Sequence, residues 1–197
     1  MKRILIPVLL CAVLLSACGK NRGESEFRAF SERLNGLDAL SFTAQVRAEY
    51  EHKTARFGLA YEESGGAGRV TVLAPELIRG VSASVKPGSS TLEYDSVVLD
   101  TGSLDSFGLS PLSSLPAMLR SMRLGHVDSV WEEDGKTVVL LEPDDGLKCT
   151  VWFSKGEMKP LRAELITDGR VTVFVEISDW KTGAAVKSTP QAAEQAE

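Results

Sequence analysis

Between residues 40 and 50 apolar and polar side chains alternate: Phe42, Ala44, Val46, Ala48 and Tyr50 fall on one face, Thr43, Gln45, Arg47 and Glu49 on the other. A period of two is that of a strand with one buried and one wet face. The period persists beyond the turn at Glu51-His52-Lys53, where Phe57, Leu59 and Tyr61 occupy alternate positions, and Ser64-Gly65-Gly66-Ala67-Gly68 returns the chain into Val70 and Val72. These segments predict consecutive antiparallel hairpins. Val81, Ala83 and Val85, then Leu92 and Tyr94 after Pro87-Gly88, and finally Val97-Val98-Leu99 extend the same meander.

Two stretches depart from that period. Upstream, Phe27, Phe30, Leu34 and Leu37 recur at near-helical spacing and predict an amphipathic helix ending at Gly36. Residues 101–111 are rich in Gly, Ser and Asp and predict a loop. Leu112, Leu115, Met118, Leu119 and Met122 then form a helical stripe that stops near Gly125, with Pro116 acceptable only in a first turn. A second block of strands is expected over 127–133, 137–142, 147–153, 161–166 and 171–180, with Asp134-Gly135, Asp144-Asp145-Gly146 and Asp168-Gly169 at its turns.

The total is about eleven short strands, an N-terminal helix and one inserted helix, an α+β architecture. With one face apolar throughout and a twist of about 20–25° per strand pair, the antiparallel sheet is expected to curl into an open half-barrel. Both helices then belong on its concave side, the inserted one as a lid. A closed small barrel is the alternative geometry. No linker or internal repeat interrupts residues 25–182, which predicts one domain. Residues 183–197 offer almost nothing to bury and are expected to be disordered.

The N-terminus has a different logic. Met1-Lys2-Arg3 is basic, residues 4–15 are an apolar run of twelve containing Pro7, and Ser16-Ala17 are small. A span needs about 20 apolar residues, so the run predicts a cleaved signal sequence. Leu15-Ser16-Ala17-Cys18 resembles the lipobox of the bacterial lipoprotein family. The resemblance implies removal of residues 1–17, diacylglycerol on the Cys18 thiol, a tether over 18–24, and the membrane as a partner through that anchor. An ordinary secretory signal followed by a chance cysteine is the bland alternative. Gly19 is not the aspartate that resembles an inner-membrane retention signal in Gram-negative cells, so an outer-membrane location stays open for an extracytoplasmic, lipid-anchored protein.

Charge narrows the choice of partners. Loss of Lys2 and Arg3 leaves 22 − 2 = 20 basic and 27 acidic side chains, net −7. With no basic run of three, nucleic acid is excluded as a partner, and the chain as a whole has no electrostatic attraction for anionic membranes. Of the three cysteines, Cys11 leaves with the signal and Cys18 is acylated, so Cys149 has no disulfide partner. It shares a face with Leu147, Val151 and Phe153 and reads as an inert core residue rather than a nucleophile.

The order of these parts is informative: lipobox, helix, paired long strands, Leu92-Glu93-Tyr94-Asp95, a Pro-flanked helix over 111–124, then five antiparallel strands. Over residues 27–180 it resembles the lipoprotein-carrier superfamily, which contains the periplasmic lipoprotein chaperone LolA, the receptor LolB and mycobacterial glycolipid-carrying lipoproteins. The resemblance implies an eleven-stranded half-barrel under a helical lid whose apolar cavity takes acyl chains. Candidate cavity residues are Phe42, Val46, Tyr50, Phe57, Leu59 and Tyr61 on the sheet and Leu115, Met118, Leu119 and Met122 on the helix, where thioethers adapt to varied apolar shapes. A filled core has the same sequence pattern and is the competing reading.

Enzyme chemistry finds no support in the spacing. Ser178-Asp179-Trp180-Lys181 has a serine–lysine spacing but falls at a strand end. His52 and His126 lack ligand-spaced neighbours, and Glu132-Glu133-Asp134 and Asp144-Asp145-Gly146 lack the alternate acids of a calcium loop. Gly65-Gly66-Ala67-Gly68 has no following helix for a phosphate. No metal or cofactor is expected besides the covalent lipid. The expected function is non-enzymatic binding of a lipid or acylated ligand between sheet and lid. The alternative is a surface module that positions or activates an extracytoplasmic protein partner, as sporulation and germination lipoproteins of similar fold do.

Overall fold

The computed structural model describes residues 18–50, 53–86, 89–94, 97–102, 110–143 and 146–183. Helix α1 (Cys18–Asn35) leads into β1 (Ala39–Tyr50), β2 (Lys53–Ser64) and β3 (Ala67–Ala74). A 3-10 turn (Glu76–Ile78) precedes β4 (Ser82–Lys86), β5 (Ser89–Tyr94) and β6 (Val97–Gly102). Helix α2 (Pro111–Leu124) separates these from β7 (Val127–Glu133), β8 (Lys136–Leu141), β9 (Lys148–Ser154), β10 (Pro160–Thr167) and β11 (Arg170–Gly183). The strands form one large antiparallel sheet in the order β6-β5-β4-β3-β2-β1-β11-β10-β9-β8-β7. The pairing of β1 with β11 joins the two hairpin blocks, and β6 and β7 stand at opposite edges, so the curved sheet does not close.

The alternation read from the sequence sets the faces. Leu40, Phe42, Ala44, Val46 and Ala48 of β1 point to the helices and join Leu59, Val70, Val139, Val151, Leu165 and Val175 in one core. Register follows from the same pattern: Phe42 pairs with Tyr61 and Val46 with Phe57 across β1 and β2, and Val46 with Val175 across β1 and β11. A slip of one residue would turn each of these side chains to water.

Several expectations need correcting. The polar tether expected over 18–24 is instead the first part of α1, supported by the i,i+4 pairs Arg22–Glu26 (2.9 Å) and Glu24–Arg28 (2.7 Å). Close approach of α1 to β7 also explains Gly23, where a Cβ would lie 2.8 Å from Val130 Cγ1. Strand β11 continues past Trp180 to Gly183, because β1 supplies partners as far as Ala39. The 3-10 turn after Pro75 was not anticipated, and α2 passes through Pro116 instead of confining proline to its first turn. The tail expected to be disordered lies, over 184–197, outside the described residues, as do the signal sequence, His52, Asp144 and Asp145.

Candidate functional site: the concave face and its covering helix

Helix α2 is built for one position. Ser110 caps it with an extended backbone, its Oγ accepting from Ser113 N at 3.2 Å, and Pro111 follows where a missing N–H costs nothing. Gly125 ends it in the left-handed conformation at φ 66°, its N–H donating to Ser121 O. The i, i+3, i+4, i+7 spacing then lays Leu115, Met118, Leu119 and Met122 against the sheet, each at most 1 % exposed. Ser113, Ser114 and Ser121 are buried beside them, and their hydroxyls donate to carbonyls of the helix itself or of its cap: Ser110 O, Pro111 O and Ala117 O. These serines therefore need no partner from the sheet.

The C-terminal turn of α2 is tied to two elements, α1 and β2, at one residue. Ser31 Oγ and Asn35 Nδ2 of α1 donate to the Arg123 carbonyl at 3.1 and 3.0 Å. The Arg123 guanidinium donates from Nη2 to Glu63 Oε1 of β2 at 2.7 Å, and Tyr61 OH donates to Glu63 Oε2 at 2.6 Å. Gly68 makes room for that hydroxyl, since a Cβ there would lie 2.6 Å from it. Burial, reinforced by the hydrogen bond to Glu63 and its charge, holds the Tyr61 phenol well above the usual tyrosine range. Sequence reasoning missed Glu63 and Arg123. They are 60 residues apart, and the signal that could have marked Glu63 is its place on the apolar-face alternation of Phe57, Leu59 and Tyr61.

Of the candidate cavity residues, Phe42, Val46, Leu59, Tyr61, Leu115, Met118, Leu119 and Met122 all converge on one core. Phe57 packs at its margin, half-buried. The Tyr50 side chain lies outside the described residues. Side chains with almost no accessible area adjoin no water-sized space, so the concave face under α2 is close-packed in this structure.

Space opens at the margin of that core. Phe42 stacks on Tyr61 at 5.2 Å and on Trp180 at 5.0 Å, forming an aromatic row. Trp180 in turn walls a pit of about 250 Å³ with Phe30, Leu34, Leu37 and Met158, with Arg33, Glu157 and Lys159 at its rim. Elsewhere, the Cys149 thiol is fully buried and pushed far above the ordinary range by desolvation, which leaves it neutral and unreactive. Ser178 Oγ lies 2.8 Å from Thr43 Oγ1, the two hydroxyls sharing a hydrogen bond across the β1–β11 pair. Glu133, at the end of β7, accepts from the indoles of Trp131 on the same strand and Trp152 on β9, both at 3.3 Å, and Glu132 pairs with Lys155 at 3.1 Å, so these acids serve contacts within the sheet. Among the described residues no cluster of three His, Cys, Asp or Glu side chains is arranged to hold a metal, and no helix is long and apolar enough to cross a membrane.

No protein-family model and no curated protein sequence matches the chain. Solved structures do. A DUF1329 family protein from Desulfovibrio piger superposes with a TM-score of 0.53 at 11 % identity, covering 84 % of this chain and 94 % of that one. A Vibrio parahaemolyticus domain named for outer membrane lipoprotein sorting gives 0.51 at 13 % identity, covering 83 % and 93 %. A LolA superfamily protein from Nitrosomonas europaea gives 0.46 at 15 % identity, covering 74 % and 86 %. At such identities the likeness is one of fold: a large, curved, open antiparallel sheet with two helices.

Proposed function

We propose that the chain is an extracytoplasmic lipoprotein, anchored through an acylated Cys18, that binds a lipid or acylated ligand between the concave sheet and α2. In this reading the sheet is an eleven-stranded half-barrel and α2 is its lid. The observation that carries it is the make-up of the α2 contact: four large apolar side chains seated on an apolar concave face, next to serines with no tie to the sheet. Lifting the helix uncovers Leu115, Met118, Leu119 and Met122, at about 1.5–3 kcal/mol each, or about 6–12 kcal/mol together. One acyl chain of about fourteen carbons returns about 11 kcal/mol at about 0.8 kcal/mol per CH₂. The two terms are of the same order, so a ligand chain can offset most of the cost of uncovering the helix face, the Arg123 ties to β2 and α1 being the remainder.

The test uses the mature chain, residues 18–197, with Cys18→Ser to remove its own lipid. Transfer of a pyrene-labelled acyl chain from phosphatidylcholine vesicles to the protein supports the reading, provided Met118→Asp abolishes it. Failure of the wild-type chain to take up label, or to carry lipid after purification, refutes it. One observation favours the second reading, a module that positions or activates a protein partner: the concave face is fully covered, whereas Leu77 in the 3-10 turn is 88 % exposed. That reading predicts a stable crosslinked complex weakened by Leu77→Asp, and no change in the lipid assay on Met118→Asp.

A further inference from the structure

The margin pit carries more information than its size suggests. At about 250 Å³ it falls below the usual range for a whole ligand site, about 300–1,000 Å³, so it suits the leading part of a ligand whose remainder lies elsewhere. Its wall is continuous with the concave core: Trp180 stacks on Phe42, and Phe30 meets Phe153 edge-on at 5.0 Å. Met158 is held there in a left-handed backbone, φ 49°, that side chains rarely adopt, yet it is buried, with its N–H donating to Ser154 O. The turn is thereby bent so that a flexible thioether lines the apolar wall.

The rim has its own chemistry. Arg33 and Lys159 stand over the pit without an ion-pair partner among the described residues, against the single carboxylate of Glu157. Two cations to one carboxylate is a local reversal in a chain whose net charge is −5. Trp180, half-exposed beside them, has the amphipathic shape that suits an acyl–headgroup boundary.

We propose that this pit is the entry for one acyl chain of an anionic phospholipid, with Arg33 and Lys159 attracting the net negative charge of the headgroup while the chain passes Trp180 and Phe42 into the room that opens when α2 lifts. The inference rests on the acyl-binding reading and adds the ligand's charge class and its route. Each cation near a headgroup is worth about 1 kcal/mol, or about fivefold in affinity. The experiment offers the mature Cys18→Ser chain vesicles of phosphatidylcholine doped with pyrene-acyl phosphatidylglycerol or with pyrene-acyl phosphatidylcholine. Uptake of the glycerol lipid is expected to exceed that of the choline lipid by about fivefold or more. Arg33→Glu with Lys159→Glu is expected to lower glycerol-lipid uptake by about fivefold or more, to the choline-lipid level or below, so that the preference is lost while the melting curve stays in place. Equal uptake by the wild type, or a preference that survives the double reversal, overturns the entry site and leaves acyl binding standing. Uptake of neither lipid overturns both.

Discussion

Replacing Arg123 by Met removes the guanidinium that joins α2 to β2 while keeping an apolar stem of similar length. The carbonyl bonds from Ser31 and Asn35 survive, because they use the Arg123 backbone. What is lost is the pair to Glu63, whose partners are 26 % and 12 % exposed on the arginine and glutamate sides. A solvent-exposed pair is worth at most about 1 kcal/mol, and breaking a fully buried one costs about 3–5 kcal/mol. The observed burial lies between these limits, so Arg123→Met is expected to destabilise by about 2 kcal/mol, most of it from leaving the Glu63 carboxylate with only the Tyr61 hydroxyl. In a domain of this size that lowers Tm by about 4–8 °C. Urea titration of residues 18–197 carrying Cys18→Ser, followed by tryptophan fluorescence, measures it, and Glu63→Gln in the same background should recover more than half of the loss. A change below about 0.5 kcal/mol, or strict additivity of the two substitutions, would refute the argument that an orphaned carboxylate carries the cost.

Phe27→Ala should cost about 3–5 kcal/mol by the same titration, since the ring is fully buried and meets Phe153 edge-on at 5.8 Å. Gly68→Ala should lose about 1–3 kcal/mol by crowding the Tyr61 hydroxyl, and Tyr61→Phe in the Gly68→Ala chain should cost less than in wild type. Cys149 should resist a thiol reagent in the folded chain and react once urea unfolds it. Its folded thiol is held protonated by burial whereas the unfolded one ionises above about pH 8.5, so the unfolded state binds fewer protons. Stability should fall on that account by about 1.4 kcal/mol per pH unit above that point, and Cys149→Ala should remove this part of the slope.

The positions of strands and helices were largely legible because burial on one face imposes a period, two for β1 and 3.6 for α2. Phe42, Val46, Leu59 and Tyr61 of the sheet and the apolar stripe of α2 lie in the core where the alternation placed them, with Phe57 at its margin. What the period did not carry was anything made by contact between distant segments. Helix α1 begins at Cys18, where polarity suggested a tether, because i,i+4 ion pairs sustain its first turns without an apolar face. Pro116 is accepted inside α2, its lost bond tolerated where packing of Leu115 and Met118 holds the turn.

By itself, then, the order of residues determined the α+β class, the register that buries Phe42 and Val46, and the apolar stripe of α2. Only the tertiary structure decided whether the sheet's concave side is space or substance, since an empty lipid pocket and a filled core demand the same side chains and differ only in whether atoms from elsewhere in the chain occupy the volume. It also decided that Arg123, Glu63 and Tyr61 meet, and that Trp180, Phe30 and Met158 leave a pit at the core's edge. Those are consequences of chain reversal over tens of residues, which no local spacing encodes.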